Sequence, residues 1–95
     1  MGAFSYGGKI FAAAVDVDAS AKIVVPARTT RKSVTIQNAE SATNVLYLGH
    51  SSSVSASNGL RIGPLESITI DDFKGDVYGI ADTADTDVRY FEVYD

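Results

Sequence analysis

The stretch KSVTIQN, residues 32–38, sets Val34 and Ile36 on one side of an extended chain and Ser33, Thr35 and Gln37 on the other. Side chains alternate across a strand. The segment therefore predicts a strand with one buried and one wet face. An amphipathic helix would need apolar residues at i, i+3, i+4 and i+7, and no window of the chain sustains that spacing for three turns.

The same reading extends outward. Upstream, AKIVV (21–25) is a strand stopped by Pro26, which cannot donate to a ladder. Before it, residues 10–17 form a first strand that Asp16, Asp18 and Ser20 turn. Downstream, NAESATN (38–44) is a polar loop leading into NVLYLG (44–49). There Val45 and Tyr47 share one face and Leu46 and Leu48 the other, so this strand is central or covered by a neighbouring molecule. A serine-rich loop follows, then a short strand or bend at 60–62, a Gly63-Pro64 turn and a strand over 66–71 with Ile68 and Ile70 inward. Lys74-Gly75 turns the chain into DVYGIAD, and DVRYFEVY closes it. In DVRYFEVY, Val88, Tyr90 and Glu92 share one face, and Arg89, Phe91 and Val93 the other. Amphipathic tyrosines here fit an interface and an ordinary sandwich strand equally well. About seven or eight short strands, rich in β-branched and aromatic residues and punctuated every ~8–12 residues by turns, predict an all-β, single-domain antiparallel β-sandwich, jelly-roll-like or a small barrel.

The chain has 95 residues, 45% hydrophobic and 21% charged, with a net charge of −4. That is one domain over residues 9–95, preceded by a flexible arm over 1–8 that carries Phe4 and Tyr6. A domain of this size buries only roughly 60–65% of its unfolded surface. Without cysteine it has neither disulfides nor a thiolate zinc site to supplement the core, which leaves oligomerisation. The basic residues are scattered apart from Arg31-Lys32 and nearby Arg28, so no phosphate-tracking patch forms and nucleic acid is not an expected partner. No apolar run reaches the ~18–20 residues of a membrane span. The N-terminal apolar stretch has no basic region before it and makes a poor signal peptide.

Chemistry has little to work with. His50 is the single histidine, so Cys/His nucleophiles are excluded. A Ser-His-Asp set built from His50, a loop serine and a distant aspartate competes with a solvated turn histidine, the reading favoured here. The aspartates at 16/18, 71/72/76 and 82/85/87 fall at turns, where they cap backbone N–H groups; calcium is the alternative. No phosphate-cradling glycine loop is present. No catalytic residue, cofactor or metal is expected.

Taken in order, RKSVTIQN, NVLYLGHSSSVSASNGLRI, PLESITIDD and GDVYGIADTADTDVRYFEV resemble small virion structural proteins of tailed bacteriophages over residues 31–93. The family pattern usually has a small residue where this chain has His50. The resemblance implies a non-enzymatic virion component made in the host bacterial cytoplasm, with capsid decoration (cement) the leading role and a head-fibre, neck or tail module that binds a host receptor or glycan the alternative. The implied partners are the major capsid protein and the chain itself, as a homotrimer. The expected contact residues are Phe4 and Tyr6 on the arm with Leu46, Leu48, Tyr90 and Phe91 on the strands.

Overall fold

The computed structural model describes residues 8–83 and 85–95. Among them eight strands form and no helix: β1 (Lys9–Val17), β2 (Lys22–Val25), β3 (Arg31–Asn38), β4 (Leu46–Gly49), β5 (Leu60–Ile62), β6 (Ser67–Asp71), β7 (Val77–Ala81) and β8 (Thr86–Tyr94). They make two four-stranded sheets, β1-β8-β3-β6 (sheet A) and β2-β7-β4-β5 (sheet B). Every pairing is antiparallel, and first pairs with last, second with seventh, third with sixth and fourth with fifth. That nesting, a long hairpin rolled into two layers, is the jelly roll.

The two inner faces supply the core: Val17 from β1, Val24 and Val25 from β2, Val34 and Ile36 from β3, Leu46 and Leu48 from β4, Ile62 from β5, Val77 and Ala81 from β7, and Val88 and Tyr90 from β8. β4 lies between β5 and β7, so VLYL is a central strand of sheet B. Leu46 and Leu48 are 0% and 5% exposed and Tyr90 8%. This corrects their expected place at a contact surface: their side chains point between the sheets.

β3 carries the largest departure from simple alternation. Arg31 pairs with Tyr94 and Ser33 with Val93, so two residues of β3 step against one of β8. This β-bulge re-aims one side chain: Arg31, which strict alternation would put on the wet face with Ser33 and Thr35, joins Val34 and Ile36 inside and is fully buried. There its Nε donates to Glu92 Oε2 at 2.7 Å, and its terminal nitrogens donate to the carbonyls of Pro26, Phe73 and Gly75. Glu92, 2% exposed, also accepts from Arg28 Nε at 3.0 Å. At the other end of β3, buried Asn38 donates from Nδ2 to the carbonyls of Asn44 (2.9 Å) and Ile62 (3.1 Å) and accepts at Oδ1 from the Glu40 N–H. Asn44 in turn donates to the Thr86 hydroxyl, which donates to the Thr83 carbonyl. Among the described residues no buried side-chain nitrogen or oxygen lacks a partner, the condition under which buried polar groups are tolerated.

Candidate assembly surface

The serine-rich loop is an ordered unit. Ser51 and Ser53 share a hydroxyl–hydroxyl contact of 2.7 Å, Ser55 and Ser57 one of 3.0 Å, and Asn58 accepts from the Ser55 N–H and donates to the Ser53 carbonyl. Its centre is Val54, 6% exposed. Gly49 and Gly59 make room for it: a Cβ on either would come within 2.7 Å or 3.0 Å of the Val54 side chain. The serines are thus occupied with one another. Among the described residues no hydrogen bond joins His50 to a serine or a carboxylate, and the shallow hollow beside His50 is only about 130 Å³. Asp18 caps its own turn, accepting from the Ser20 N–H at 2.9 Å, whereas Asp76 and Asp82 accept from the N–H groups of Ala27 and Val45, 49 and 37 residues away, at 2.7 and 2.8 Å. No cluster of three or more metal-ligating side chains occurs among the described residues.

The outward faces are more informative. Across sheet A three rows run perpendicular to the strands: Ile10–Val93–Ser33–Asp71, Ala12–Phe91–Thr35–Thr69 and Ala14–Arg89–Gln37–Ser67. The first two contain one charge between them, at the β6 edge. Ile10 is 62% exposed and Phe91 47%. Small side chains around Phe91 leave a trough of about 620 Å³ floored by Ala12, Ala14, Thr35 and Gln37. The Thr35 and Thr69 hydroxyls lie 2.9 Å apart, a cross-strand pair of the kind that steadies a sheet. At the trough's rim Arg89 donates to Asp87 at 2.9 Å, and that hydrogen bond, then the Asp87 charge, raises the Arg89 guanidinium above its usual range. Behind the sheet, burial and then the Glu92 carboxylate push the Tyr90 phenol up, with Arg28 and Arg31 opposing.

The outer face of sheet B sets Ile23 beside Tyr78 and Ile80 beside Tyr47, with exposed Arg61 next to Tyr47 at the β5 edge. An antiparallel sheet facing water normally shows polar residues there.

Of the residues expected to make contacts, Phe91 stands on this outer face. Leu46, Leu48 and Tyr90 lie in the core, and Phe4 and Tyr6 fall outside the described residues. Ile10 and Phe11 of β1, outside that expected set, are exposed as well.

No family model matches the chain, and no curated protein matches it. Among solved structures it is similar to a protein of Bacillus endospore appendages, described as a novel family of disulfide-linked pili, with a TM-score of 0.55, 10% sequence identity and coverage of 92% of this chain and 85% of that chain.

Proposed function

We propose that this chain is a non-enzymatic structural subunit that works by docking on a larger assembly, and that the assembly is the capsid shell of a tailed bacteriophage, with the major capsid protein and further copies of the chain as partners. The observation that carries the docking role is the outer face of sheet A, where Ile10 and Phe91 stay half exposed in a nearly uncharged field. Contiguous apolar surface of this sort marks interaction sites in soluble proteins. The order of segments from RKSVTIQN to DVRYFEV supports the phage reading. The fold likeness to an appendage protein supports an assembly part more broadly, and a filament or appendage subunit is the second reading. Disulfide linkage has no counterpart here, because the chain has no cysteine.

Decoration stabilises a shell by mass action, since a protein that binds only the assembled state lowers its free energy. Purified protein added to expanded, empty shells is expected to sediment with them and raise their melting temperature. Phe91→Asp is expected to weaken that binding by more than the accompanying drop in the isolated domain's own melting accounts for. Wild-type protein that neither sediments with shells nor changes their melting defeats the capsid role.

A further inference from the structure

The two flanks of the sandwich differ in shape and charge and match each other. On one flank β1 is the outermost strand of sheet A among the described residues. Its Ile10 and Phe11 are 62% and 43% exposed, exposed Lys9 precedes them, and the Arg28 guanidinium lies 5.7 Å from the Phe11 ring. On the opposite flank, where β6 and β5 are the free edges, the seam between the sheets opens into an apolar pocket of about 260 Å³ lined by Leu48, Leu60, Ile70, Phe73 and Val77 with His50 at its rim. Leu60 and Phe73 are 50% and 38% exposed, and exposed Asp71 and Asp72 stand beside them. Lys74 is drawn away to the Arg31 carbonyl.

Register brings the two into line. Phe11, Glu92, Val34 and Ile70 form one row across sheet A, and Ile10, Val93, Ser33 and Asp71 the next. A second copy laid against the β6 edge at the same level therefore sets its Phe11 beside Ile70, on the inner side of the sheet where the pocket opens. Its Ile10 falls level with Asp71, and Lys9 comes within reach of the acidic pair. Neighbouring strands alternate in direction through the sheet, so β1 of that copy would also run antiparallel to β6.

We propose that copies of this chain associate head to tail, with the basic-flanked Phe11 knob of one seated in the acid-flanked Leu60–Ile70–Phe73 pocket of the next and Ile10 alongside on the outer face. The contact is heterologous: knob and pocket are different surfaces, so association proceeds past a dimer to a ring or an open series. The proposal builds on the assembly reading above and specifies its self-contact.

Sedimentation velocity on the full chain across a concentration series tests it. The wild type is expected to grow beyond dimer mass as concentration rises. Phe11→Asp and Leu60→Lys, each checked for native circular dichroism and melting, are expected to be monomeric alone. Mixed in equal amounts they should give a discrete dimer, because one keeps the pocket and the other the knob. Lys9→Glu and Asp71→Lys, both at exposed positions, should each weaken association about tenfold, and the two combined in one chain should restore it. These charge variants keep the test decisive where an apolar variant fails to fold. A wild type that stays monomeric, a strict dimer, a mixture that does not pair, or charge reversals that do not compensate each overturns the contact. A monomer that still binds shells overturns this proposal alone and leaves the docking role standing.

Discussion

The two ends of β3 solve one problem in different ways. Both terminate in a fully buried polar side chain that ties loops to the sandwich. Arg31 uses a charge, answered by Glu92 and spread over three carbonyls. Asn38 uses a neutral amide with two carbonyls and one N–H. A charge removed from water is held only by its full set of partners, whereas a neutral amide risks little more than its own hydrogen bonds. The charged end should thus be the more brittle of the two, although it has more bonds.

Arg31→Met keeps most of the side-chain volume but leaves Glu92 with Arg28 alone. A loss of about 3–5 kcal/mol is expected, and for a domain of this size a melting temperature lower by roughly 12 °C or more. Adding Glu92→Leu should recover only part of this, because the carbonyls of Pro26, Phe73 and Gly75 remain without their donor; full recovery in thermal melts would show that charge pairing, not the carbonyl clamp, holds this end. Asn38→Ala should cost less, about 2–3 kcal/mol, read from the urea midpoint at unchanged slope. A loss as large as that of Arg31→Met would erase the distinction between the ends.

Smaller effects probe the rim of each end. Arg28 stacks 3.8 Å from the Tyr94 ring centre while one-third exposed, so Arg28→Met should cost only about 0.5–1 kcal/mol. Leu65 holds φ at 64°, at the third position of the Gly63–Glu66 turn, and its N–H donates to the Asn38 carbonyl. A left-handed leucine is strained by ~1–2 kcal/mol, part of which glycine's extra chain entropy cancels, so Leu65→Gly should raise stability by about 0.5 kcal/mol.

Much of the fold could be read from local pattern because each strand shows its own alternation. The KSVTIQN face, the VLYL strand and the shared face of Val88, Tyr90 and Glu92 all follow from period two. What stayed hidden depends on packing that no alternation pattern encodes. Arg31 lies inside only because pairing with β8 inserts a bulge, and its counter-charge sits 61 residues away. Val54, in the middle of a serine run, is buried because Gly49 and Gly59 vacate space on both sides of it. Of the expected contact residues described, Phe91 alone stands on an outer face. Leucines that look two-sided in a central strand prove to be core, and the exposed isoleucine and phenylalanine of β1 resemble core residues until β1 is known to be an edge.

β8 is the last of the eight strands to be synthesised, yet it lies between β1 and β3. A nascent chain can already pair β3 with β6, but β1 stays without its neighbour in the sheet until β8 has left the exit tunnel. Closing contacts between such distant parts of a chain is slow. The trough around Phe91, floored by residues of β1 and β3, does not exist before that moment, so no partner can recruit a half-made subunit through it. The trough is thus a product of the closing step: it takes shape only once β1, β8 and β3 lie side by side.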